Sequence, residues 1–310
     1  LARQRGVPSL LTLHDYWFIC ANSQLIWPDA QVCRGKAFGL NCARCVLTAR
    51  VDSPTMQLLG PLAAPLLRVR DRLVRQAAHS ADLLIAPSRF LIQQYTEAGF
   101  AAGRFLYLEN GIDVERIQRY PRRPSPDGKL RFTYLGSLAW QKGVHVLVEA
   151  FKGIPPDAAV LKIYGDPTVF PDYSGQLREI ADPLNTHFEG PVPNEQVGRV
   201  LAETDVLVVP SLWYENSPVV IQEAFAAGVP VIASEIGALP EKVSSEDRLF
   251  EPGDAAKLRR LAQDIIARED RLSRFGAATC PRSMSEAVND LLNTYAPLER
   301  RGGRRPIHST

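Results

Sequence analysis

The chain has no apolar run of the ~18 residues a helix needs to cross a bilayer, so no spanning segment is expected. It also lacks a charge imbalance. Its 310 residues carry a formal net charge of +2, too little for a general nucleic-acid binder. Internal repeats and low-complexity tracts are missing. The opening "LARQRGVPSLLTLHD" has no initiator Met, no apolar signal region and no cleavage pattern. It reads as the end of a helix or loop feeding a strand, which predicts the C-terminal part of a longer protein. Cysteine is scarce and odd in number: Cys20, Cys33, Cys42, Cys45 and the distant Cys280. That argues for a reducing cytosol, not a disulfide scaffold. There is no Asp-x-Asp cluster to hold a divalent ion, so no metal is expected to be required for chemistry.

What is present is ordinary soluble composition, 45% hydrophobic and 23% charged, over a length sufficient for two cores. Short apolar strands alternate with amphipathic helices, a pattern that predicts α/β architecture with parallel sheets covered on both faces. In the second half, strands are expected at Arg131–Gly136, Ala159–Gly165, His187–Gly190, Asp205–Pro210, Pro230–Ser234 and Leu249–Gly253, with helices near 143–152, 172–182, 194–203, 217–227 and 254–268. Six such units make one complete doubly wound domain. The first half offers Pro8–Leu13, Asp82–Pro87 and Phe105–Leu108, with helices near 54–79 and 88–98. Three strands are too few for a complete domain of that kind. Proline and charge cluster at Gln118–Lys129, a hinge candidate. The expected layout is therefore a partial N-terminal α/β domain over 1–117, a linker over 118–129, a ligand-binding doubly wound domain over 130–282, and a C-terminal helix with a basic tail over 283–310.

Open parallel sheets bind ligands beyond the carboxyl ends of their strands. At those ends stand His14 and Asp15, Gly136 and Ser137, Gly165 and Asp166, Gly190, and the Tyr214–Ser217 loop. The last opens "YENSPVVIQEAFAAG", where Glu215 and Glu223 interrupt a run of Val, Ile, Ala and Phe. Ser217 and Pro218 predict an N-cap and first turn, and Gly228 a helix stop. A carboxylate on so buried a helix costs several kcal/mol (roughly 2–7 for a polar group) unless it is paired or hydrogen-bonded. Sugar and ribose hydroxyls are suitable donors; an arginine partner for Glu223 and a solvated Glu215 are the plainer alternative. Upstream, "YLGSLAWQKGVHVLVEAF" is a strand, a glycine turn and Lys142 at a helix entrance, a place that favours phosphate. The two helix starts near Gly143 and Ser217 could cradle one diphosphate, although a surface loop explains glycine plus lysine equally.

Together "TLHDYWFIC", "ADLLIAPSRF", "ENGIDVERI", "YLGSLAWQKGVHVLVEAF", "FEGPVPNEQV" and "ENSPVVIQEAFAAGVPVIASEIGALPE" resemble the family 4 retaining glycosyltransferases, of the GT-B fold. The resemblance covers nearly the whole chain, and the two glutamates with seven residues between them are its most specific part. It implies two Rossmann-type doubly wound domains, the N-terminal one incomplete. It also implies transfer of a sugar from a nucleotide-diphosphate donor to a glycan or lipid-linked acceptor with retention at the anomeric carbon. By the same resemblance Glu215, Lys142 and His14 form the catalytic set: Glu215 lies beside the donor sugar, Lys142 on the diphosphate, and His14 faces sugar and acceptor from across the cleft. Gly136, Ser137, Asn216, Ser217 and Pro218 line the donor, Gly190 and Val192 the base, and Glu223 the ribose. Ser137 departs from the pattern, since many members carry an arginine there; a hydroxyl does not replace a cation, so either Lys142 and the helix dipoles carry more of the leaving-group charge or Arg89 or another arginine substitutes. A nucleotide-sugar-binding fragment without turnover and a GT-B-fold epimerase remain the other implied functions.

Two weaker signals complete the inventory. Cys20, Cys33, Cys42 and Cys45 suit either a structural zinc knuckle or a loop of buried thiols. Arg68, Arg72 and Arg75 share one face of the helix near 62–78, with Leu66, Val69 and Leu73 opposite. That pattern fits a solvated face over a core stripe, or a peripheral contact with the cytoplasmic face of an anionic membrane. His79, His145, His187 and His308 show no partner in the sequence and are expected to be structural or superficial.

Overall fold

The computed structural model describes residues 5, 7–27, 31–33, 35–48, 60–243, 248–267 and 281–302. The first residues of the helix expected at 54–79, Cys280, the tail from 303 and His308 lie outside these. Two compact units result, one of Leu1–Glu109 with Val288–Thr310, the other of Asn110–Ala287.

In the first unit, β1 (Leu10–Thr12), α1 (Leu40–Thr48), α2 (Gly60–Ser80), β2 (Leu83–Ala86), α3 (Arg89–Glu97) and β3 (Phe105–Tyr107) follow in chain order. The three strands pair in parallel as β1-β2-β3. Ser88 caps α3 by accepting the Leu91 N–H at 3.1 Å. Arg75 closes its other end through bonds to the carbonyls of Ala98 and Gly99, so it does not belong to a free basic face. Helix α2 sits opposite to the core-stripe expectation. It buries Ala64, Val74 and Ala78, while Leu62, Leu66, Val69 and Leu73 are 74%, 72%, 55% and 59% exposed.

The second unit contains α4 (Val114–Gln118), β4 (Leu130–Leu135), α5 (Val144–Phe151), β5 (Ala159–Tyr164), α6 (Pro171–Ile180), β6 (Thr186–Gly190), α7 (Val197–Ala202), β7 (Val206–Val209), α8 (Val219–Ala226), β8 (Val231–Ser234), α9 (Leu239–Lys242), β9 (Leu249–Phe250) and α10 (Ala255–Ile266). Helix α11 (Met284–Gly302) ends the described chain. All six strands are parallel, in the order β6-β5-β4-β7-β8-β9. The alternation of side chains along each strand fills two cores. Phe132, Val206, Val208 and Ile232 face α5 and α10, whereas Leu207, Val209, Val231 and Ala233 face α7 and α8. Burial on both faces explains why these strands read as unbroken apolar runs. Strand order reverses between β4 and β7, which opens a crevice beyond their carboxyl ends.

The segment expected as a linker, 118–129, falls within the second unit, which begins at Asn110. Arginines pin it there: Arg122 donates to the Leu201 carbonyl at 3.1 Å, and Arg131 bridges the Arg123 carbonyl and the Asp205 carboxylate at 2.6 and 2.8 Å. The proline-rich composition reads as a hinge, but side-chain bonds formed at long sequence separation hold it to the strand ends.

Candidate functional site

Lys142 follows β4 and Glu215 follows β7, so the strand reversal sets them face to face. Lys142 Nζ lies 2.7 Å from Glu215 Oε1 and 5.1 Å from the centre of the Trp213 ring. The same carboxylate oxygen accepts from Ser211 Oγ at 2.7 Å and from Trp213 Nε1 at 3.1 Å. Glu215 is 6% exposed, and these donors offset the cost of burying its charge. An ammonium has three protons, so one bond to Glu215 leaves Lys142 donors for a further anion.

Two glycines make this convergence sterically feasible. Gly143 has φ +69°, and an added Cβ would stand 1.9 Å from the Pro210 carbonyl oxygen, so only glycine lets the turn after β4 reach the end of β7. Gly237 has φ +62°, and its Cβ would stand 2.7 Å from both the N and the O of Glu215. Backbone bonds from Leu212 N to the Gln141 carbonyl and from Ala238 N to the Glu215 carbonyl, each 2.8 Å, close the assembly.

Helices α5 and α8 both begin here without a side-chain cap. Sequence reasoning places the N-cap at Ser217 with Pro218 in the first turn. The structure moves the cap to Pro218, whose ψ of 114° is extended, and the Ser217 hydroxyl is buried with no hydrogen-bond partner among the described residues. First-turn N–H groups without a side-chain acceptor give the helix start its affinity for anions. The stop at Gly228 is as expected: φ is +68°, with its N–H on the Phe225 carbonyl.

Glu223, on α8, lines a cavity of about 380 Å³ together with Gly136, Ser137, Gly165, Asp166, Val192 and Asn194. Gly165 is needed in that wall, because a Cβ would stand 2.4 Å from the Gly136 carbonyl. Bonds from the Thr168 hydroxyl and backbone hold the Asp166 carboxyl below its ordinary pKa. Glu223 is 6% exposed, and its Oε1 accepts from Arg116 Nη2 at 2.6 Å. The plainer expectation of an arginine partner is thus met, and it coexists with a place on the cavity wall. Gly136, Ser137, Val192 and Glu223 are brought to one cavity; Lys142, Glu215, Ser217 and Gly190 do not line it.

The first unit holds the remaining candidates. His14 is exposed two residues beyond β1. Arg89 lies over the Tyr107 ring at 5.0 Å. Cys20, Cys33, Cys42 and Cys45 are free thiols. Burial, with a smaller contribution from nearby Cys20 and Cys33, pushes Cys42 and Cys45 up to about 11. Thiolate is the metal-binding form, and among the described residues no group of three or more His, Cys, Asp or Glu is arranged to hold an ion. Two histidines do have partners: His79 Nδ1 faces Arg104 and His145 Nδ1 faces the Tyr173 hydroxyl, both at 2.8 Å.

The family described as "Glycosyl transferases group 1" matches residues 117–280, more than half of the chain. The chain belongs to that family. Glycogen synthase of Mycobacterium tuberculosis is 32% identical over 59% of this group 1 chain and 44% of its own length. A GDP-mannose-dependent monoacylated alpha-(1-6)-phosphatidylinositol monomannoside mannosyltransferase of Corynebacterium glutamicum is 28% identical over 66% of this chain and 58% of its own. The chain thus spans about half the length of these relatives. HepE of Anabaena, solved with UDP and glucose, superposes with a TM-score of 0.68 at 19% identity, covering 95% of this chain and 73% of that one. That likeness establishes the α/β parallel-sheet fold of the GT-B glycosyltransferases.

Sequence reasoning missed Ser211 and Trp213, inside the matched group 1 region, and Arg116, one residue before it. The first two lie within four residues of Glu215, yet nothing in their spacing distinguishes a carboxylate donor from packing. Arg116 stands in "ENGIDVERI", 107 residues before Glu223; Asp113 three residues earlier marks a helix start but carries no sign of that partner.

Proposed function

We propose that this chain binds a nucleotide-diphosphate sugar and belongs to a retaining, family 4 glycosyltransferase. The carrying observation is the Lys142–Glu215 pair at 2.7 Å, placed where strand order reverses and where two helices start uncapped. Breaking a sugar–phosphate bond puts negative charge on the departing diphosphate and positive character on the anomeric carbon. Lys142 and the N–H groups of α5 and α8 answer the first demand, the Glu215 side the second. The Ser217 hydroxyl, lacking a partner among the described residues, is a ready donor to phosphate or sugar. Glu223 is read as the ribose acceptor, Val192 and Gly190 as base neighbours, and Gly136, Ser137, Asn216 and Pro218 as backbone lining for the donor. His14 is assigned to the sugar and acceptor.

The proposed acceptor is a glycan or a lipid-linked saccharide at a membrane surface. Support comes from α2, whose stripe of Leu62, Leu66, Val69 and Leu73 faces outward beside exposed Arg68 and Arg72, the pattern of an interfacial helix. The Corynebacterium relative is named for a phosphatidylinositol mannoside, a lipid of that kind. No helix among the described residues is long and apolar enough to cross a membrane. A cytoplasmic protein, peripheral on the cytoplasmic membrane face, fits this reading.

A thermal-shift screen of nucleotide sugars, followed by NMR of the product's anomeric proton, tests it. The expected result is stabilisation by at least one donor, by RT ln(1 + [L]/Kd), and a product with the donor's anomeric configuration. Donor binding without transfer leaves a binding module, conversion of donor alone to an epimer makes it an epimerase, and inversion removes it from family 4.

A further inference from the structure

Arg116 is fixed before it holds anything else. Its N–H donates to Asp113 Oδ1 at 2.9 Å, the capping bond of α4. Neighbouring Ile117 is fully buried in the core beneath α7 and α8. Helix α7 comes so near at Gly198 that an added Cβ would stand 2.9 Å from the Ile117 carbonyl and 3.1 Å from that of Arg116. Gln118 Nε2 reaches the Ala226 carbonyl of α8 at 3.3 Å. From this base the guanidinium makes two bonds. Nη2 donates to Glu223 Oε1 at 2.6 Å, and Nη1 to the carbonyl of Asn194. Both acceptors belong to residues on the wall of the 380 Å³ cavity.

Charge compensation explains the first bond and leaves the second without a purpose, since a lysine would neutralise Glu223 as well. What the arginine adds is a planar fork with fixed angles between its donors. We propose that Arg116 is a positioning residue for the nucleoside of the donor: it joins Glu223 and the Pro191–Asn194 segment into one rigid wall, so that the carboxylate meets a ribose diol in a set orientation. This rests on the reading of Glu223 as the ribose acceptor. A carboxylate offers about four lone-pair sites; Arg116 uses one and, by doing so, stops the group from turning. Arg116 needs no contact with the ligand. The site is thereby selective for ribonucleoside over 2′-deoxyribonucleoside diphosphates.

The test is calorimetric titration of the whole chain with UDP, GDP and ADP and with their 2′-deoxy counterparts. Wild type, Glu223→Gln, Arg116→Gln, Arg116→Lys and the Arg116→Gln/Glu223→Gln double variant are compared by the ratio of deoxy to ribo Kd. Wild type is expected to favour ribose at least about tenfold, the weight of one hydrogen bond to a charged group. Glu223→Gln brings the ratio near one, Arg116→Gln does the same, Arg116→Lys keeps an intermediate value, and the double variant is no lower than Glu223→Gln alone. An unchanged ratio in Glu223→Gln overturns the ribose reading itself. A ratio lost in Glu223→Gln but intact in both Arg116 variants overturns the positioning role and leaves that reading standing; equal weakening of both ligands does the same, since that is how a merely structural ion pair behaves. Should Arg116→Gln fail to fold, the charge-conserving Arg116→Lys decides. Binding of none of the three nucleotides overturns both.

Discussion

Replacing Lys142 with alanine separates stability from chemistry. The substitution leaves Glu215, 6% exposed, with its bonds from Ser211 and Trp213 but without the ammonium 2.7 Å away. Removing one partner of a fully buried pair costs about 3–5 kcal/mol. The Lys142 side chain is 27% exposed, and water entering its place lowers the loss to about 2–3 kcal/mol. On the proposed donor role of Lys142, turnover of a full-length form suffers separately, by about 3–4 kcal/mol of barrier or 10²–10³ in rate, because a preorganised donor to the leaving diphosphate is gone. Adding Glu215→Gln in the Lys142→Ala background neutralises the stranded carboxylate, so it restores most of the stability and none of the rate. Urea unfolding followed by tryptophan fluorescence reads the first quantity, with Trp213 5.1 Å from the perturbed ammonium; release of nucleoside diphosphate reads the second. A Lys142→Ala protein with native stability and native turnover, or a double variant no more stable than the single, refutes the reasoning.

Gly143→Ala forces a Cβ onto the Pro210 carbonyl at 1.9 Å and is expected to cost about 3 kcal/mol or more in urea unfolding, whereas Gly190→Ala, at φ +81° with open space around it, costs about 1 kcal/mol. Equal losses would remove the steric argument. Burial lowers the His145 pKa from 6.5, so the unfolded chain binds more protons; stability is full above pH 6.5 and falls as pH drops through the window just below it. His145→Gln should flatten that fall in melting curves taken from pH 7.5 to 5, and an unchanged slope contradicts the assignment. Wild type should sediment with phosphatidylglycerol vesicles and not with phosphatidylcholine vesicles, and Leu66→Glu/Leu73→Glu should cut that binding at least tenfold, since each apolar side chain contributes about 1 kcal/mol or more; no vesicle binding by wild type removes the interfacial role of α2. Zinc measured on chelator-washed protein decides between the two readings of Cys20, Cys33, Cys42 and Cys45: one equivalent marks a structural knuckle, and none marks a loop of buried thiols.

The α/β class and the nine strands among the described residues were legible in the sequence because strand and helix periods are local properties, set by alternation and by residues such as Gly228 at a helix stop. The glutamate pair and Lys142 were legible because charge within an apolar run is conspicuous. What lay beyond local reading were relations between distant segments. Lys142 and Glu215 are 73 residues apart and meet only because strand order reverses between β4 and β7; Arg116 and Glu223 are 107 apart and meet through packing at Gly198. The outward face of α2 and the pinned segment at 118–129 were also decided at this level. A sequence states which face of a helix is apolar and which stretch is rich in proline. Only the packed tertiary structure determines whether that face is covered and which carbonyls a guanidinium can reach.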